Sequence, residues 1–303
     1  MLIASPNDGI LIPIPQYPLY IATIAQFEGK LIPYYLSSSL SAGWSTSVSD
    51  VRDALAKAKS EGVNPKALVV INPGNPTGSV LDRGTMEDLV KICEEHSLVL
   101  LADKVYQDNL HARVSDPSVS FTSFKKVAHA LQSPAPLISF HSTSKGVLGK
   151  YGRRGRYFEC TNISPEVLAL IYKMVSVGLC PPLQNRRRHA RPSAKGRRAF
   201  LLVMERGDWS GTQSSRRTYL DNDDASWFSK CLVDETMEKG KAPGVMYALE
   251  LLDETGICVV PRSGFGQKEG VWHYRLTCLC PGVEEYVGKL EKFHKEWVES
   301  YEA

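Results

Sequence analysis

The sequence is short of several things, and each shortage excludes a class. In its 303 residues no apolar run approaches the roughly 18 residues that a membrane-spanning helix requires. The opening MLIASPNDGILIPIPQYPLY has no basic region ahead of its apolar stretch, and prolines interrupt that stretch, so it does not read as a secretory signal. Cysteine is sparse: seven residues, an odd number at scattered positions and without a CxxC pair, argue against a disulfide framework and for a reducing compartment. Cys278 and Cys280 stand two apart in a strand-like stretch, share a face and are expected only to pack. The seven histidines show no metal-ligand spacing, and no metal site is expected.

What is present is ordinary in bulk and uneven in distribution. A hydrophobic fraction of 43% and a charged fraction of 23% belong to a globular protein, and the length suggests two domains. From Asn185 to Arg217 ten basic residues face two acids, a net of +8 in a chain whose total is +3. Basicity is therefore the property of one segment. That segment, 185–226, has little amphipathic period and few aromatics for base stacking, Trp209 and Tyr219 among them, so it reads as an irregular, poorly ordered loop rather than a nucleic-acid patch.

Elsewhere strands and helices alternate. Residues 10–14 read as a strand, followed by a proline-rich turn and an apolar segment over 19–27; KLIPYYL reads as a short strand. Val48, Val51, Leu55 and Ala58 recur at helical spacing, with Ser47 or Ser49 as N-cap and Gly62 as the stop. Strands are expected at 67–71, 98–101 and 137–140, with a helix carrying Leu89, Val90, Ile92 and Cys93 between the first two. The alternation predicts an α/β fold: a mostly parallel sheet with helices on both faces. Near the end, PGVMYALELLDETG reads as a helix stopped by Gly256, and Tyr286, Leu290, Phe293, Trp297 and Tyr301 share one face of a last helix.

In a parallel sheet the carboxyl ends of the strands open on one crevice, where ligands bind. Asn75 follows 67–71, Asp103 and Tyr106 follow 98–101, and Lys145 follows 137–140. Around Lys145 the run SFHSTSKGVLGKYGRRG adds the hydroxyls of Ser142 and Ser144 and the cations Arg153 and Arg154, a combination suited to a phosphate dianion. A cation close to Lys145 also lowers its pKa and frees the amine to attack a carbonyl. Taken singly, Asn75 could merely shape its turn, Asp103 cap the next element and Tyr106 fill the core. Together, an amine, a carboxylate, a phenol, an amide and an anion cradle are what pyridoxal 5'-phosphate requires.

The stretches DGILIPIPQYPLY, NPGNPTG, ADKVYQD, SFHSTSKG and GICVVPRSGFGQKEG resemble those of the alanine aminotransferases, within the fold type I aminotransferases of class I/II. The resemblance covers residues 4–184 and about 240–303. It implies that Lys145 carries the coenzyme aldehyde, Asp103 pairs with the pyridine nitrogen, Asn75 and Tyr106 hold the ring oxygen and Tyr17 stacks on the ring. It further implies that Ser142, Ser144 and Arg154 bind the phosphate, and that Asn75 and Arg275 bind the substrate, Arg275 taking its α-carboxylate. The implied reaction is transamination of L-alanine with 2-oxoglutarate to pyruvate and L-glutamate, by a homodimer. Gly264, Phe265 and Gly266 lie between expected strands at 257–260 and 271–277, without a helix after them, so they are not a dinucleotide fingerprint.

Two departures from the family shape the remaining expectations. The first strand and the glycine-containing phosphate loop of the family are expected to have no counterpart here, and from Asn185 to about Ser226 the basic segment stands where the family continues with helical sequence; in addition, the family's RGG reads Arg154-Gly155-Arg156. The expected organisation is an incomplete large domain over 1–184, the basic segment over 185–226 and a small C-terminal domain over 227–303. The alternative to a transaminase is an aminotransferase-like remnant that binds coenzyme weakly or not at all. The expected compartment is cytoplasmic or mitochondrial, with no secretion and no membrane or nucleic-acid partner.

Overall fold

The computed structural model describes residues 2–37, 44–110, 120–145, 155–177, 242–266, 274–275 and 283–302. The basic segment 185–226, Cys278, Cys280 and Arg154 lie outside them.

The first strand, β1 (Asp8–Ile14), is buried along its whole length. This suits the near-continuous apolar sequence DGILIPI, because a parallel strand covered on both faces has no polar side. It pairs with β2 (Lys30–Tyr35) on one edge and β3 (Asn64–Ile71) on the other. The ladder continues through β4 (Val99–Asp103) and β5 (Leu137–Ser142) to β6 (Arg156–Thr161), in the order β2-β1-β3-β4-β5-β6. All pairs are parallel except β5 with β6, which is antiparallel. The edge strand β6 was not anticipated from sequence, and its burial explains why: RYFECT is half-buried or exposed throughout and offers no apolar run to read.

Alternation along β1 divides the core in two. Leu11 joins Leu68, Val70, Leu100 and Ala102 on one face, against α2 (Val48–Ser60), α3 (Arg83–Glu95) and α4 (Phe124–Ala130). Ile10, Ile12 and Ile14 point the other way with Ala67, Val69 and Leu101, against Ile24 of α1 (Leu19–Gln26). The helices start where their caps allow. Ser47 accepts from the Asp50 amide at 3.3 Å and Asp82 from the Thr85 amide at 2.9 Å, supplying donors left orphaned by the first turn with an acceptor. After α2, Gly62 takes φ +76°, a left-handed conformation that glycine adopts without strain. A further helix, α5 (Pro165–Ser176), buries none of its residues among those described, and Leu170, Tyr172 and Met174 are 61%, 74% and 75% exposed.

The C-terminal elements pack around aromatics. Helix α6 (Pro243–Thr255) ends at Gly256, which has φ +74°. A two-stranded antiparallel pair, β7 (Val260–Pro261) and β8 (Tyr274–Arg275), follows, with a 3-10 turn at Arg262–Phe265 between them. On α7 (Val283–Glu302), Leu290, Phe293 and Trp297 are buried against Tyr247 and Leu251 of α6, as the spacing predicts. Tyr247 meets Trp297 edge-on at 4.9 Å and stacks with Tyr274 at 5.4 Å.

One buried charge ties the start of the chain to the sheet. Asp8 accepts from the amides of Ala4 and Ser5 at 2.9 Å each and from the Asn64 side chain at 3.0 Å, with Lys66 at 3.5 Å. The Ala4 amide first, then the Ser5 amide and Lys66, hold its carboxyl below the ordinary value of 3.8 despite burial. Because the folded pKa is the lower one, the stabilisation is complete above the unfolded value and lost as pH falls through the folded value. Asp8→Asn should therefore lower the thermal midpoint at pH 7, and flatten the loss of stability below about pH 4, where unfolded carboxyls protonate, as followed by circular dichroism.

Candidate active site

Register brings the reactive side chains to one edge. Ile71 pairs with Asp103, and Asp103 with Phe140, so β3, β4 and β5 end in step. Asp103 is the last residue of β4 rather than a residue beyond it. The segments after these strands carry Asn75, Tyr106 and Lys145.

Asp103 is half-buried and doubly engaged: Oδ1 accepts from the Val105 amide at 3.0 Å and Oδ2 from the Tyr20 hydroxyl at 2.9 Å. Burial pushes its carboxyl above the ordinary value, while the Val105 amide, the Tyr20 hydroxyl and the nearby His141 pull against that shift. Its bond to Val105 is the local turn-closing one that sequence alone allows; its bond to Tyr20 spans 83 residues and is not local. The Lys145 ammonium sits 5.3 Å from the centre of the Tyr106 ring, a cation–π distance. His141 approaches the Lys104 carbonyl through Nδ1 at 3.2 Å and tilts against Tyr157 at 5.3 Å.

Among the expected phosphate ligands, Ser142 and Ser144 are adjacent and linked, the Ser144 amide donating to Ser142 Oγ at 3.1 Å. Ser142 Oγ in turn donates to the Gly155 carbonyl at 3.3 Å. Arg154, the expected cation, lies outside the described residues. Arg275 of β8 donates through Nη1 to Asn75 Oδ1 at 3.4 Å, and its guanidinium stands 5.8 Å from the Phe265 ring. Two residues expected to bind the substrate thus meet each other. Tyr17, the expected stacking residue, is 44% exposed.

The junction that brings Phe265 here is specific. The Gln16 amide donates to the Phe265 carbonyl at 2.9 Å, just beyond β1. Gly266 takes φ +76° and ψ +147°, and a Cβ there would stand 3.0 Å from Ile14 Cδ1 and 3.9 Å from Ile21 Cδ1. Conformation and closeness both require glycine. The side-chain amide of Gln16 is fully buried and has no hydrogen-bond partner among the described residues.

Three residues of this edge were not singled out from sequence: Tyr20, His141 and Gln16. For Tyr20 the sequence carries no signal, since α1 begins at Leu19 and Tyr17, the tyrosine three residues earlier, stands outside the helix. For Gln16 there is none either, because a polar residue in a proline-rich turn reads as exposed.

The model of the family described as aminotransferase class I and II matches residues 1–181, more than half of the chain. This chain belongs to that family. Alanine aminotransferase 2, mitochondrial, of Arabidopsis thaliana is 38% identical to this family member over 99% of the chain and 60% of its own length. Alanine aminotransferase 2 of Panicum miliaceum is 39% identical over 99% of the chain and 67% of its own length. Glutamate–glyoxylate aminotransferase 1 of Arabidopsis thaliana is 38% identical over 98% of the chain and 66% of its own length. The chain thus spans about 60–67% of the length of these curated relatives. The solved alanine aminotransferase of Pyrococcus furiosus superposes with a TM-score of 0.65, at 23% identity, over 97% of this chain and 72% of that one. At that identity the likeness speaks for the fold, which is that of the fold type I aminotransferases.

Aminotransferases of class I and II generally depend on pyridoxal phosphate. The residues present at this edge fit its ring. An ionised carboxylate offers about four acceptor positions, so after the Val105 and Tyr20 donors Asp103 retains capacity for a pyridinium N–H.

Replacing the glycine at the junction probes it directly. Gly266→Ala forces a side chain into a glycine-only conformation against Ile14 and should cost about 1–3 kcal/mol. Chemical denaturation of the full chain measures that cost, whereas Gly264→Ala, where an added Cβ meets nothing within 4 Å, should cost less.

Proposed function

We propose that the chain is a pyridoxal-phosphate-dependent transaminase acting on L-alanine and 2-oxoglutarate. The observation that carries the reading is the convergence of Asp103, Tyr106 and Lys145 at the carboxyl ends of adjacent strands β4 and β5, with the lysine amine 5.3 Å from the tyrosine ring. The coenzyme, when bound, supplies an aldehyde and an electron-withdrawing pyridinium ring. Lys145 would hold that aldehyde through its nucleophilic amine and, as a free amine, would move the proton at the substrate's Cα. Asp103 keeps the pyridine nitrogen protonated by presenting an ionised oxygen to it. Tyr106 and Asn75 donate toward the ring oxygen, Tyr17 covers the ring face, and Ser142, Ser144 and Arg154 hold the phosphate.

Arg275 binds the substrate carboxylate, because only guanidinium offers two parallel donors to it. Its bond to the neutral Asn75 oxygen is a weak one at 3.4 Å, readily exchanged for a carboxylate. The reading extends to a large domain over 1–184 and a small one over 227–303, separated by the basic segment, and to a cytoplasmic or mitochondrial compartment, supported by the mitochondrial relative. A homodimer is supported by the apolar side chains of α5, which are not buried among the described residues.

The test is to load the purified full chain with pyridoxal phosphate, follow the visible absorbance of its link to lysine, and assay pyruvate from alanine and 2-oxoglutarate. Lys145→Ala should abolish that absorbance and lower turnover by at least about a thousand-fold. Absorbance unchanged by the substitution would reject the lysine's role, and a wild-type chain without it would favour a remnant lacking coenzyme chemistry. Turnover of glutamate with glyoxylate but not of alanine would move the substrate assignment to the pair named for the third relative. Arg275→Lys should raise KM for alanine by about 10- to 100-fold with a smaller effect on kcat, since a single-point ammonium replaces the fork.

A further inference from the structure

The helix after the first strand reaches the centre of this site through one hydroxyl. Tyr20 lies in α1 and donates to Asp103 Oδ2 at 2.9 Å across a separation of 83 residues. The other oxygen of the same carboxylate accepts from the Val105 amide at 3.0 Å. A carboxylate held at one oxygen can still turn about its last side-chain bond; held at both, by a backbone amide and by a phenol from a different element, it cannot. We infer that Tyr20 is a positioning residue of the transaminase, the group that aims the Asp103 carboxylate at the coenzyme's ring nitrogen and keeps it ionised there. The inference rests on the reading above, in which Asp103 meets that nitrogen.

Three features of the surroundings suit Tyr20 to this part. Burial raises the Asp103 carboxyl and would protonate it more readily, and a proton on Asp103 removes the negative oxygen that a pyridinium needs; a hydroxyl donated to Oδ2 opposes this. Burial and the charge of Asp103 also push the ionisation of the Tyr20 hydroxyl well above its ordinary range, so the donor keeps its proton. The helix itself is fixed, since Ile24 is buried in the core beneath the sheet and Ile21 packs there beside it. Among the described residues, the groups that face Asp103 are the Tyr20 hydroxyl from α1, the Val105 amide and His141 from β5. His141 is retained in every variant below, so its influence is common to all.

The test uses the full chain and two changes of opposite sign. Tyr20→Phe removes only the hydroxyl oxygen. Replacement of Tyr20 by 3-fluorotyrosine keeps ring and hydroxyl and makes the phenol a stronger donor. In coenzyme-free protein carrying carbon-13-labelled aspartate, the Asp103 carboxyl titration should move up by about one pH unit in Tyr20→Phe and move down in the fluorinated protein. Pyridoxal phosphate should bind Tyr20→Phe about tenfold more weakly, the deficit growing as pH falls through the Asp103 titration, and the fluorinated protein at least as tightly as wild type. A merely structural tyrosine would not move the titration in opposite directions. The inference is overturned if the wild-type chain binds coenzyme and neither the titration nor the affinity differs in Tyr20→Phe. If that variant does not fold, an Asp103 titration unmoved by fluorination overturns it equally. A wild-type chain that binds no coenzyme overturns the transaminase reading and this role with it, a result that the wild-type arm alone identifies.

Discussion

Everything at the crevice depends on the register of three parallel strands. With Ile71, Asp103 and Phe140 side by side, β3, β4 and β5 finish together and deliver their following segments to the same edge. A slip of one residue in β4 would turn Asp103 to the opposite face and replace it with a neighbour that has no carboxylate, because side chains alternate along a strand. What prevents the slip is apolar. Leu100 and Ala102 belong to the core under α2, α3 and α4, while Leu101 belongs to the core under α1, so both faces of β4 have a fixed set of neighbours. The geometry of a polar site is thereby set by hydrocarbon on either side of it.

Much of this could be read from sequence, for a reason visible in β1 and β3 to β5. Their apolar runs are buried on both faces, and the helices between them carry periodic apolar stripes ended by Gly62 or started by Ser47 and Asp82. Burial leaves a strong trace in composition. Where burial is weak the trace vanishes, as at β6, whose residues are exposed or half-buried; α5 is the reverse case, apolar in sequence with none of its residues buried among those described. The Gly264 to Gly266 stretch lies between two strands, as its sequence suggests, but sequence does not disclose that Gly266 is shaped by Ile14 and Ile21, since that contact is made across distant parts of the chain.

The site residues divide in the same way. Asp103, Tyr106 and Lys145 are legible because their strands are legible and each stands at or just beyond a strand end. Tyr20 is not, because a tyrosine at the start of a helix carries no mark of what its hydroxyl will meet. Gln16 is read oppositely to its fate: a polar residue between prolines suggests solvent, yet its side chain is fully buried and its backbone joins Phe265. Tertiary partners decide such cases, and tertiary partners are the part of a fold that local pattern does not encode.

The pairing of Arg275 with Asn75, 200 residues apart, has a kinetic side. Neighbouring strands of the sheet are joined by connections of a few tens of residues, so their loops close at modest entropic cost, whereas the contacts of Arg275 and of Phe265 with the first part of the chain close far longer ones. Contacts of long sequence separation are slow to form. The placement of the guanidinium against Asn75 belongs to that slow class of contact, and it brings a cation to the sheet edge from far along the chain.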